Sequence, residues 1–135
     1  EASVHLTEIP RLDAPLTAEE LAEWKRVLDL RAEVLAVLEG ARAAKQIGQS
    51  LEADVTLYGD DIPTAGVDLA KLFIVSHVDI RPASADGTKV SWAPARGKKC
   101  GRCWTYREEV ANDGDLCARC QKVVDELAPA ELPTA

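Results

Sequence analysis

Two short cysteine pairs constrain what the end of this chain can become. Cys100-Gly-Arg-Cys103 and Cys117-Ala-Arg-Cys120 each keep their cysteines two residues apart, with 13 residues between the pairs. A two-residue spacer in a tight turn aims two sulfurs at one point, and a second such turn closes the site from the other side. Four thiolates in a tetrahedron suit Zn²⁺ and leave no position open for water, so such a metal is structural rather than catalytic. Gly101 and Ala118 fit tight turns, and Arg102 and Arg119 can offset the −2 charge of a zinc tetrathiolate. Two disulfides would need an oxidising compartment, a redox pair usually stands alone, and an iron–sulfur cluster is a further user of four cysteines. The compact doubled turn points to zinc. With so little apolar sequence around it, the segment should draw much of its folding energy from the metal.

Composition sets the rest. The 135 residues are 47% hydrophobic and 29% charged, with only six aromatics, so the core must be mainly Leu, Val, Ile and Ala. No apolar run approaches a membrane span, and no signal-peptide pattern is visible at Glu1–Pro10. The chain has no methionine and begins Glu-Ala-Ser, as expected of a processed protein or a piece of a longer one. The net charge of −7 is uneven: residues 1–94 carry −7, whereas residues 95–127 carry +1. Arg96, Lys98, Lys99, Arg102 and Arg107 fall within twelve residues that hold no acid. This patch can meet a polyanion that the chain as a whole would repel.

The pattern predicts an α+β fold: a long N-terminal helix, a small sheet of about three strands and a C-terminal four-cysteine zinc module. The expected divisions are 1–48, 49–94, 95–127 and a tail at 128–135. After an extended lead-in, Thr17 and Glu20 form a capping box flanked by Leu16 and Leu21. Apolar residues then recur at helical spacing to about residue 46, a helix of roughly 45 Å, with Gly48 as its expected stop. Its apolar stripe is wide, and either lies across the sheet or once packed on a missing neighbour. Ala53–Tyr58, Phe73–Ile80 and Thr88–Ala93 read as strands, with Leu72–Ile80 central, and Val67–Leu72 reads as a short helix begun near Asp68. The tail from Ala128 is expected to fray.

Trp104 can cover the metal as a hydrophobic lid, its more ordinary use, or stack on an unpaired base beside the cations. Lys98, Lys99 and Arg107 suit either RNA phosphates or plain solvation. His5 and His77 lie far apart, and His77 reads as a surface or packing residue. Asp60 and Asp61 read as a solvated turn. No phosphate-binding loop, nucleophile elbow or zinc-protease motif occurs, and no constellation supports catalysis.

The runs Gly97 to Trp104 (GKKCGRCW) and Leu116 to Cys120 (LCARC) resemble the C-terminal zinc-binding segment of bacterial isoleucyl-tRNA synthetases. Ala41 to Ala53 (ARAAKQIGQSLEA) and Leu72 to Val78 (LFIVSHV) resemble the same end region in the same order, as does Ser3 to Leu6 (SVHL). Formamidopyrimidine-DNA glycosylases carry a similar finger, but the upstream segments do not resemble them. The resemblance implies a cytoplasmic protein, a structural Zn²⁺ and the rest of a synthetase as partners of this segment, and tRNA(Ile) rather than DNA or a membrane. ATP and the editing of mischarged valine would belong to domains absent from this segment, which would be non-catalytic by itself. It further implies RNA contacts by Lys98, Lys99, Arg102, Trp104 and Arg107, extending to Arg42 and Lys45, and favours a neighbouring helical bundle for the long helix. The alternative is a docking module that braces the synthetase without touching RNA.

Overall fold

The computed structural model describes residues 16–127. The lead-in, the Ser3–Leu6 resemblance, His5 and the tail lie outside the described residues. Helix α1 (Ala18–Ala43) starts where the capping box requires. The Thr17 hydroxyl accepts from the Glu20 N–H at 3.2 Å, and the Glu20 carboxylate accepts from the Thr17 N–H at 2.7 Å. The helix stops three residues earlier than expected, and Gly48 is not the cause. Lys45 turns left-handed (φ 57°), and the N–H groups of Lys45 and Gln46 bond back to the Arg42 and Ala41 carbonyls. That double bond is a Schellman closure, formed here without glycine.

A short 3₁₀ turn (Ser50–Glu52) leads into β1 (Ala53–Tyr58). Helix α2 (Leu69–Phe73) follows, then β2 (His77–Arg81) and β3 (Val90–Pro94). The sheet order is β2-β1-β3, with β1 parallel to β2 and antiparallel to β3. Two expectations are corrected here. The central strand is β1, not Leu72–Ile80: Ala53, Val55 and Leu57 are all but fully buried, whereas Ile80 on the edge strand β2 is 53% exposed. The second strand also begins at His77 rather than Phe73. Asp68 caps α2 by accepting from the Ala70 and Lys71 N–H groups, and Ile74 ends it at φ 60°. A parallel pair needs a crossover between its strands. The apolar run around Phe73 therefore belongs to that crossover helix and its exit.

The main core joins Val34, Leu38 and Ala41 of α1 to Val55, Leu57, Leu69, Phe73 and Val75. Polar contacts fix the helix further. The Arg31 Nε donates to the Leu72 carbonyl at 3.1 Å, and Arg26 reaches the Asp61 carboxylate at 2.7 Å. Toward its start α1 leaves Leu21 and Leu28 more than half exposed. The stripe thus covers the sheet over one part of its length and stands open over another.

Beyond β3 the chain enters the cysteine module. Its framework is a two-stranded ribbon, β4 (Lys98–Lys99) with β5 (Tyr106–Arg107), and a helix, α3 (Ala118–Leu127). Its small buried cluster of Cys100, Val110, Cys117 and Cys120 is separate from the main core.

Candidate metal centre and nucleic-acid interface

The first cysteine turn is set by the ribbon. The Cys100 N–H donates to the Thr105 carbonyl, and the Trp104 N–H donates to the Cys100 carbonyl, both at 3.0 Å. The loop ahead of the second pair closes over it. The Gly101 N–H donates to the Asp115 carbonyl, the Gly114 N–H to the Lys99 carbonyl, and the Lys99 N–H to the Asp113 carboxylate. Gly101 is dictated by this closure, because a Cβ there would run into the Gly114 carbonyl. Gly97 is dictated twice, by φ 87° and by the Arg107 backbone lying where its Cβ would be. The second pair is carried at the start of α3, with Cys120 in its first turn.

These turns bring the four sulfurs within 4.8 Å of one another. Sulfurs held about 2.3 Å from a tetrahedral Zn²⁺ lie roughly 3.8 Å apart, and Cys103 and Cys117 stand 3.8 Å apart. All four are free thiols, three of them buried. Burial opposes ionisation of Cys100. The backbone N–H groups of Cys103, Cys117 and Arg102 nevertheless bring its pKa down to about 6. Burial likewise opposes ionisation of Cys103, but the Thr105 hydroxyl and N–H lower its pKa overall. Cys117 goes the other way, pushed up to about 11 by burial and the neighbouring sulfurs. One thiol is thus readied as a thiolate, while another needs a cation to hold it ionised. The donor set fits Zn²⁺, with only sulfur ligands and amides aimed at them.

The structure brings some of the expected RNA-contacting residues together. Lys98 and Arg107 are register partners on the ribbon. Trp104, in the turn between the strands, has φ 63° and is 54% exposed, with the Lys99 Nζ 5.4 Å from its ring centroid. A lid over the metal would leave less of the indole open. Arg102 faces the metal centre, its Nη1 3.9 Å from the Cys120 sulfur. Arg42 and Lys45 sit at the far end of α1, where Arg42 is held by Glu39 and by the Ser50 hydroxyl. Arg96 is the cation whose setting the charge pattern did not reveal. It forks onto Asp79 at 3.0 Å through each Nη, and its N–H donates to the Asp54 carboxylate at 3.2 Å. Asp54 also pairs with the His77 Nδ1 at 2.7 Å, so His77 is a half-buried packing partner.

Comparison with known proteins now places the chain. A family model described as "Zinc finger found in FPG and IleRS" matches residues 97–123. An isoleucine–tRNA ligase of Staphylococcus epidermidis is 39% identical over 141 residues, covering 94% of this chain. The isoleucine–tRNA ligases of Desulforamulus reducens and Pediococcus pentosaceus are 40% and 36% identical, covering 93% and 98% of it. The chain is homologous to isoleucine–tRNA ligases. It spans only 15–16% of the length of these relatives. The matched finger holds all four cysteines, consistent with a structural zinc. The resemblance carried by the segments upstream of the finger is supported too, since each alignment reaches far beyond it. Among the described residues no helix is long and apolar enough to cross a membrane.

Proposed function

We propose that this chain is the zinc-stabilised, tRNA-engaging end region of a cytoplasmic isoleucine–tRNA ligase, with Cys100, Cys103, Cys117 and Cys120 holding one Zn²⁺. The parent enzyme charges tRNA(Ile) with isoleucine using ATP and edits mischarged valine, in domains outside this segment. The segment itself contributes binding and no chemistry.

The observation that carries the reading is Trp104. A left-handed backbone costs a non-glycine residue roughly 1–2 kcal/mol, and here it turns an indole outward beside a lysine rather than into a core. An exposed aromatic beside Lys99, on a ribbon that also carries the paired Lys98 and Arg107, is an arrangement suited to stacking on an unpaired base while cations hold its phosphates. Arg102 divides its charge between the metal centre and the RNA. Arg42 and Lys45 give a second, more distant contact. The exposed Leu21 and Leu28 on α1 favour a further role, in which the helix packs against the rest of the ligase.

Kinetics of the full ligase test the reading. Reversing Lys98 and Lys99 together to Glu should raise the KM for tRNA roughly tenfold and make that KM less sensitive to rising salt than in the parent. Isoleucine activation without tRNA should be unaffected. An unchanged KM for tRNA would leave only the bracing role.

A further inference from the structure

The zinc module and the sheet do not share a hydrophobic core. Among the described residues one apolar cluster joins α1 to the sheet, and a second surrounds the cysteines, with no residue in common. No buried apolar cluster therefore spans the junction between them. Polar contacts cross it at two places.

The first is the three-residue connection from β3 to β4. The Ala95 N–H donates to the Glu52 carbonyl at 2.8 Å. The Arg96 N–H donates to Asp54, its guanidinium forks onto Asp79, and Gly97 then makes the turn. A link of this kind fixes one point and still permits a swivel about it. The second place removes the swivel. The Tyr106 N–H on β5 donates to the Ser76 Oγ at 2.8 Å, across 30 residues of sequence. Ser76 is 2% exposed, and its hydroxyl donates in turn to the Leu51 carbonyl at 2.5 Å. A hydroxyl that donates is the stronger acceptor for it. Few side chains of this size can do both: alanine offers neither group, and a thiol is weak at each.

We propose that Ser76 and Arg96 are positioning residues that mount the zinc module on the sheet in one fixed orientation. Ser76 supplies the second tether: Arg96 anchors the chain just ahead of β4, and Ser76 holds β5. The consequence for function rests on the tRNA reading above. With the mount intact, the cations of the ribbon meet RNA at a set angle to α1. With it broken, the same cations are present but no longer aligned.

The zinc-loaded chain can be tested directly by NMR. In the parent chain, residues 98–127 and 53–94 should fit one alignment tensor, and the Tyr106 amide should be protected from exchange. Ser76→Ala should speed Tyr106 exchange at least tenfold and split the tensors, with zinc still bound at one per chain. Ser76→Thr, which keeps the hydroxyl, should restore Tyr106 protection relative to Ser76→Ala. Arg96→Gln acts at a half-exposed side chain and should loosen the module without disturbing the core, so the test survives if Ser76→Ala fails to fold. A common tensor in Arg96→Gln, together with a common tensor in Ser76→Ala wherever that variant folds, would overturn the proposal. Binding of tRNA separates this from the functional reading. If tRNA binds, Ser76→Ala should weaken it although no cation has been removed, and Ser76→Thr should restore it. If tRNA binds none of the variants while the tensors still split, the RNA reading fails and the mount stands.

Discussion

At the scale of single residues, Trp104 sets stability against use. Its φ of 63° suits glycine, yet the position holds the bulkiest side chain available. Replacement by glycine removes the backbone strain along with the indole, while replacement by alanine removes the indole and keeps the strain. The zinc-loaded Trp104→Gly chain should therefore be more stable than Trp104→Ala by about 1 kcal/mol, measured by denaturant unfolding. Both should lose tRNA affinity to the same extent. Equal stabilities would mean that the left-handed turn is not strained, and would remove the argument that the indole is held outward for a purpose. The metal-site residues were legible in the sequence because spacing alone specifies them. Ser76 and Arg96 were not. A serine beside a strand has no pattern of its own, and its partner Tyr106 lies 30 residues away.

At the scale of elements, α2 shows how a short helix depends on its cap. It has five residues, yet it buries Leu69 and all of Phe73. Asp68 caps two of its N–H groups and pairs with Lys71 at 2.9 Å. Asp68→Ala should cost about 1 kcal/mol, whereas Asp68→Asn should keep the cap and lose only the ion pair. The hydrogen bond from Lys71 holds the Asp68 carboxyl below the ordinary aspartate range. A lowered folded pKa stabilises above the unfolded value, near 3.9, and that stability is lost as pH falls through the folded one. The advantage of wild type over Asp68→Asn should therefore be full at neutral pH and vanish in the acid range below about pH 4. Thermal melts at several pH values check this. The same helix explains where pattern reading failed. Phe73 to Val75 is a short apolar run, and such a run does not distinguish a buried helix end from a strand. Thr17 and Glu20, by contrast, announce α1 through chemistry rather than periodicity, and alternation in Ala53–Tyr58 marks β1. Strands β4 and β5 are two residues each, too short for any period to register.

At the scale of the whole molecule, two separate cores predict two separable responses. Chelation of zinc should collapse the amide dispersion of residues 97–124 while the signals of 53–94 persist. Loss of both together would mean that the mount carries stability as well as orientation. The ribbon adds a response of opposite sign. Lys98 and Arg107 face each other across it, and like charges in directly paired positions repel. The free module therefore holds two like charges in paired positions, which counter-ions can screen. Salt that loosens the grip on a nucleic acid should steady the module when it stands alone, raising the melting temperature of the zinc-loaded ribbon as ionic strength rises. Neutralising one partner, by Arg107→Gln, should abolish that rise. The two cations are held apart by backbone pairing until a polyanion arrives, so the partner would be drawn in partly by the repulsion it quiets.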